Sequence, residues 1–151
     1  MTEQPFEPMA IDLRHYVDFD LQSPSGRRAI STDVMALDVI CLQPQQIIEV
    51  RTFETADAVY TVLGGTAWVV TDQTEVTLSP LQAVLIPAGI PHGLKNTAAD
   101  PLILQVVTSP PDEIGVLPLG PVPEAAAEQA HIDARPGLID RLRRTLGTKV
   151  D

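Results

Sequence analysis

Three histidines occur in the chain, and one of them, His92, stands where a side chain can be aimed. It follows the turn Pro87, Gly89, Pro91. Proline removes a ladder donor and fixes φ, and glycine admits a positive φ. An imidazole held by such a turn has little freedom left to lose, and it can work as an acid, a base or a metal ligand. A second group of chemistry-bearing residues lies upstream. Glu49, Arg51 and Phe53 fall on one face of a predicted strand by strict alternation. Arg51 brings a permanent cation with donors that fit a carboxylate bidentately, and no lone pair for a metal. The other two histidines, His15 and His131, lie on elements unrelated to either group. His15 is expected on an edge strand facing solvent.

The elements that must hold these residues are short and apolar. Strands are predicted at 11–19 (an edge), 34–42, 46–53, 58–63, 66–71, 74–79, 82–86, 93–95 and 102–108, with 21–28 as a loop. The pair 58–63 and 66–71 is expected to form a tight hairpin around Gly64 and Gly65. Fourteen prolines punctuate the apolar runs, among them Pro44, Pro80, Pro87, Pro101 and Pro110. No helical period occurs before residue 120, so no crossovers are available for parallel pairing and the sheets are expected to be antiparallel. The fold class that follows is all-β, a jelly roll or small barrel over residues 1–111. Beyond Pro110 and Pro111 an irregular segment leads to a predicted C-terminal helix at 138–146. Its Leu138, Ile139, Leu142 and Leu146 share one face, and it is expected to pack on the barrel or on a partner subunit.

The 151 residues suit one domain, and 44% of them are hydrophobic. A net charge of −10 argues against nucleic acid and anionic membranes as partners. The single cysteine, Cys41, lies in the apolar run ALDVICL and is expected to be a buried thiol. The acidic, proline-containing start shows no signal peptide, so a cytoplasmic location is expected. Trp68 is expected in packing or at a subunit interface, and Asn96 in a turn bonded through its side chain.

Residues 81–96, LQAVLIPAGIPHGLKN, resemble the second motif of the cupin family, G-x5-P-x-G-x2-H-x3-N. Pro87, Gly89, His92 and Asn96 match, and Leu81 stands at the first glycine. The first cupin motif, G-x5-H-x-H-x3-E-x6-G, fits in register with Gly64 at its last glycine. That register puts Asp57 at the glutamate, Phe53 and Arg51 at the two histidines, and Gln45 at the first glycine. The resemblance covers about residues 35–108. It implies a cupin barrel, a homodimer, and a metal ligand at His92. The other ligands have changed, since Arg51 and Phe53 cannot coordinate. Two remaining donors rarely hold a divalent ion, so neither metal nor cofactor is expected.

If the barrel closes as in cupins, Asp57 and His92 come to one interior region. Three readings then stand. In the first, the protein binds a small, anionic organic ligand as a sensor or accessory protein. Arg51 receives the anion, Phe53 packs on the apolar part, and Asp57, His92 and Glu49 complete the lining. In the second, the protein is an enzyme of isomerase or epimerase type. Asp57 then orients His92 and raises its basicity for general acid–base work, or a metal is bound through unusual ligands. In the third, the chain is a structural or interaction protein: Arg51 and Asp57 form an ion pair and the pocket is filled by its own side chains. Tyr60 has the opposite parity to Asp57 on their strand, so its ring is expected to point away from this pocket.

Overall fold

The computed structural model describes residues 8–111; the predicted tail segment 112–151, with its helix at 138–146, lies outside them. Nine strands run through the described residues: β1 (Ser25–Ser31), β2 (Ala36–Leu42), β3 (Ile47–Arg51), β4 (Asp57–Gly64), β5 (Ala67–Thr71), β6 (Glu75–Leu78), β7 (Ala83–Ile86), β8 (His92–Lys95) and β9 (Leu102–Ser109). They form a five-stranded sheet in the order β1-β2-β9-β4-β7 and a four-stranded sheet in the order β3-β8-β5-β6. Every pairing is antiparallel, as the absence of crossover helices requires. The inner faces of the two sheets close on one apolar core that includes Leu42, Ile48, Tyr60, Val62, Val69, Leu94, Leu102 and Leu104. Alternation along β4 and β9 supplies it, with every second residue buried. No helix of the described residues is long and apolar enough to cross a membrane.

Three local expectations change. Residues 11–19 do not form an edge strand. Asp12 accepts hydrogen bonds from the backbone N–H of Arg14 at 3.0 Å and from its guanidinium, which caps a 3-10 turn over Leu13–Tyr16. That turn buries Tyr16 against Val39 and Cys41 in a second cluster on the outer face of the larger sheet. Cys41 is a buried thiol, and burial pushes its pKa up. The predicted loop at 21–28 instead contains the start of β1, which pairs with β2 from Ser25 opposite Cys41.

The Gly64–Gly65 corner is also not a hairpin. β4 pairs with β7 and β9, whereas β5 pairs with β6 and β8, so the chain passes between sheets there. Gly65 has φ +88°, and a Cβ on it would lie 2.4 Å from the carbonyl oxygen of Pro101. Only glycine fits where this corner meets the entry to β9.

Two further backbone features bear on the site. Among the described residues, Gln45 and Leu81 are the non-glycine residues with positive φ, at 71° and 70°. They are also the two motif glycine positions that another residue occupies here. The pairing of β3 with β8 slips by one residue: Ile48 faces Leu94, and Arg51 faces His92. Three steps on β3 therefore match two on β8, as a bulge does.

Candidate functional site

The slip in β3 decides what reaches the interior. Ile48 is buried, Glu49 and Val50 both turn outward, and Arg51 turns back in. Strict alternation would have kept Glu49 beside Arg51; the extra residue breaks that phase and leaves Glu49 exposed on the outer face. Phe53 follows the strand and is buried. Its carbonyl accepts from Gly89 N–H at 2.8 Å, which ties this segment to the turn that precedes His92. β8 begins at His92, which sits between Arg51 on β3 and Thr71 on β5. Across the core, β4 presents Ala58, Tyr60 and Val62 inward.

Four side chains meet there: Arg51, Phe53, Tyr60 and His92. Arg51 Nη2 donates to the Tyr60 hydroxyl oxygen at 2.6 Å. The same hydroxyl lies 2.7 Å from His92 Nε2. His92 Nδ1 lies 2.9 Å from the carbonyl oxygen of Ile90. A carbonyl only accepts, so Nδ1 carries the proton and the Nε2 lone pair accepts from Tyr60 O–H. The resulting chain has one direction: guanidinium to phenol, phenol to imidazole, imidazole to backbone. It is also buried, with Tyr60 0%, His92 1% and Arg51 8% exposed.

Rings enclose the charge. The guanidinium carbon of Arg51 lies 4.9 Å from the Phe53 ring centroid and 5.7 Å from that of Tyr60. These are cation–π distances. The His92 ring packs against Phe53 at 5.4 Å and edge-on to Tyr60 at 5.3 Å. Burial lowers the pKa of His92, the Ile90 carbonyl opposes that shift, and the nearby Arg51 charge adds to it. The net direction is downward, which keeps the imidazole neutral and able to accept from Tyr60.

Of the residues singled out in the sequence, Arg51, Phe53 and His92 come together, whereas Asp57 and Glu49 do not join them. Asp57 opens β4 on the outward phase and is exposed. Its carboxylate accepts from Ala88 N–H at 2.9 Å, bracing the Pro87–Gly89 turn from outside. Both ring nitrogens of His92 already have partners, so the expected Asp57–His92 dyad does not form, nor does the Arg51–Asp57 ion pair. The opposite parity of Asp57 and Tyr60 holds, but the inward phase belongs to Tyr60. Its neighbours at the same parity, Ala58 and Val62, carried that signal, since a strand with one charged and one apolar phase buries the apolar one. Asn96 is a buried brace as expected of a turn residue. It donates to the carbonyls of Leu42 and Asp100 and accepts from Ala98 N–H.

The metal site implied by the resemblance does not fit this set of donors. Among the described residues no three His, Cys, Asp or Glu side chains could share an ion. The free lone pair of His92 points at a hydroxyl proton, and the Arg51 cation occupies the adjoining space. What the arrangement offers is a fixed positive charge among aromatic rings. Arg51 Nε is buried with no hydrogen-bond partner. The three ion pairs of the described residues, Arg14–Asp12, Arg27–Asp18 and Arg28–Asp38, lie elsewhere.

A family profile described as a cupin domain matches residues 38–108. The protein TT1209 from Thermus thermophilus is 33% identical; the alignment covers 66% of this chain and 95% of that one, with a TM-score of 0.63. A Klebsiella pneumoniae protein with a double-stranded β-helix domain is 21% identical over 72% of this chain and 95% of its own, with a TM-score of 0.65. KdgF from a Halomonas species is 17% identical over 66% and 91%, with a TM-score of 0.59, and these last two likenesses show the fold. No curated protein matches the chain. With both motif registers, the two glycine-type turns and the double-sheet topology in agreement with that profile, the chain belongs to the cupin superfamily.

Proposed function

We propose that this cupin is metal-independent and binds a small organic anion, a carboxylate in the first instance, in the barrel at Arg51. The supporting observation is the state of that guanidinium. It is buried with its charge uncompensated: its partners among the described residues are a neutral phenol and two ring faces, and Nε has none. A buried charge without a counter-ion is costly, and a carboxylate supplies both the charge and an acceptor for Nε. Phe53 offers an apolar surface for the rest of such a ligand. A role as a sensor or accessory protein follows from binding without turnover.

The test is a panel of small aliphatic, aromatic and hydroxy carboxylates against their amides, read by calorimetry and thermal shift. Carboxylates are expected to bind and amides not. Arg51→Met is expected to weaken binding about 10- to 100-fold, the worth of a charge-assisted hydrogen bond. Equal binding of acid and amide, or binding unchanged in the variant, refutes the anion site. If no anion binds, the site is a structural brace that fills its own pocket.

A second reading, an isomerase or epimerase, draws on the Tyr60 hydroxyl held between a cation and an imidazole. Tyr60 replaces Asp57 as the partner of His92, and the step that can move a proton is the one from the phenol to the Nε2 lone pair, with the Arg51 cation stabilising the phenolate left behind. Such an activity would appear as solvent-deuterium uptake next to the carbonyl of a bound keto acid or sugar, lost in His92→Gln. Uptake that survives this substitution removes His92 from the reaction.

A further inference from the structure

The outer face of the four-stranded sheet is built in rows. The bulge sets Glu49 and Val50 together against Gly93, and Gly93 pairs with Val70, which pairs in turn with Glu75. One row along, Lys95 stands between Ile47 and Trp68, with Thr77 beyond. Ile47 and Val50 are 52% and 69% exposed. Gly93 has no side chain, so the row sinks to the backbone between Val50 and Val70. A groove of about 360 Å³ lies there, and Ile47, Val50, Trp68, Val70 and Lys95 line it. Exposed apolar side chains grouped on one sheet face mark an interaction surface.

The acids of this face stand at its two edges. β3 and β6 are the edge strands of the sheet, and Glu49 lies on one and Glu75 on the other, in the same row. Three strand spacings separate them, about 14 Å of backbone. An α-helix with its side chains is about 10–12 Å across. A helix laid along the two central strands therefore fits between the two carboxylates. Neither carboxylate has an ion-pair partner among the described residues. The occupant that suits this face has an apolar stripe with a cation on each side of it.

We propose that this occupant is the segment 138–146 of the same chain. The segment lies outside the described residues; its sequence, LIDRLRRTL, has the required pattern. At 3.6 residues per turn, Leu138, Ile139, Leu142 and Leu146 share one face, and Arg141 and Arg143 fall on opposite flanks of it. The apolar stripe seats on Val50, Trp68 and Val70, and the two arginines meet Glu49 and Glu75. Half of the ten basic residues lie from Arg135 onward, so a basic end meets an acidic remainder. The connecting stretch 112–137 spans about 85 Å when extended, against the ~10 Å between two packed sheets, so it reaches this face. A second copy of the barrel would instead bring acids to acids, between chains that each carry a net charge of −10.

Trp68 is the sole tryptophan and reports on the groove. In the full chain its emission should be that of a covered indole, slow to quench with acrylamide and unchanged on dilution. Leu142→Glu should shift the emission to the red and speed the quenching, with the far-ultraviolet spectrum of the barrel kept. Arg141→Glu with Arg143→Glu should move it part of the way, since exposed pairs are individually weak. Adding Glu49→Lys and Glu75→Lys to that variant should restore the covered emission. An exposed Trp68 in the full chain overturns the proposal. So does emission that reddens on dilution, because a second copy is then the cover. Emission that ignores Leu142→Glu overturns it as well, since something other than this segment then lies on the groove. Failure of the fourfold reversal to restore coverage rejects the flanking ion pairs, and the seat between the two edge acids with them.

Discussion

Replacing Tyr60 by Phe removes one oxygen and keeps the ring. The ring is fully buried and its edge contact with His92 does not depend on the hydroxyl, so the packing stays. What is lost is the middle of the hydrogen-bond chain: Arg51 Nη2 loses its acceptor and His92 Nε2 its donor. Each buried group left unsatisfied costs about 1–3 kcal/mol, with a charged donor at the upper end or beyond. Tyr60→Phe is therefore expected to destabilise the fold by roughly 3–5 kcal/mol, a large share of the 5–15 kcal/mol typical of a domain. Urea unfolding reads this as a lower midpoint with an unchanged slope. A double-mutant cycle with Arg51→Met sharpens the test. Removing the guanidinium as well removes the orphaned cation, so the double variant should be less destabilised than the two single losses summed. A loss under about 1 kcal/mol for Tyr60→Phe, or simple additivity in the cycle, would mean that the phenol does not hold the charge, and the assignment of the site would fail.

The pH dependence of stability follows from His92. Its folded pKa lies below the ordinary 6.5, so between the two values the unfolded chain binds more protons than the folded one. Stability then rises with pH through this window: the contribution is complete above about pH 6.5 and fades as pH falls toward the folded value. Urea midpoints should decline on acidification through that window, and His92→Gln should flatten the decline; an equal slope in the variant removes His92 as its source. Leu81 is 85% exposed and sits at φ 70°, so Leu81→Gly gives up little burial and relieves left-handed strain of about 1–2 kcal/mol. Against the extra chain entropy of glycine, a net gain of about 0.5–1 kcal/mol is expected, or a few degrees in Tm; a lower Tm would show that the turn is not strained. Asp57→Ala should cost about 0.5–1.5 kcal/mol through the lost bond to Ala88 N–H. The imidazole resonances of His92 should titrate as before; a shifted titration would mean that the carboxylate reaches the interior.

The sequence carried the frame further than the contents. Alternation and proline punctuation located β2 to β9, and the glycine positions of the motif register fell on Gln45 and Leu81, where the backbone does take positive φ. β1 was hidden because its first residues, Ser25 and Gly26, continue a run of turn-type residues, and only pairing with β2 makes them a strand. At Gly64 and Gly65 the dipeptide announces a change of direction, but whether the chain folds back on its own strand or crosses to the other sheet depends on Pro101 and Leu102, remote in sequence and close in space. At Asp57 the motif register offered a carboxylate for the site, and the strand phase turns it outward. One step of phase separates a carboxylate outside from a phenol inside, and Tyr60 was the group that the Arg51 charge required.

The bulge between Ile48 and Arg51 could not be read at all, since it exists only against β8, yet it decides that the cation reaches the interior. Were the same residues paired regularly with β8, alternation from Ile48 would carry Val50 inward and Arg51 outward. A cation would then face solvent, and the site would hold Tyr60 and His92 with no charge to organise them. With the bulge, Glu49 and Val50 both point out and Arg51 points in, so the guanidinium is buried. A slip of this kind moves a whole face at once. Deleting Val50 should therefore leave the phase of Arg51 unchanged: from Ile48 to Arg51 the strand then has two steps, as β8 has from Leu94 to His92, so regular pairing keeps the guanidinium opposite His92. Anion binding should survive in this variant, with the strand content of the barrel retained. Loss of anion binding, measured by calorimetry with strand content intact, would show that the pairing of Arg51 with His92 is not what places the cation.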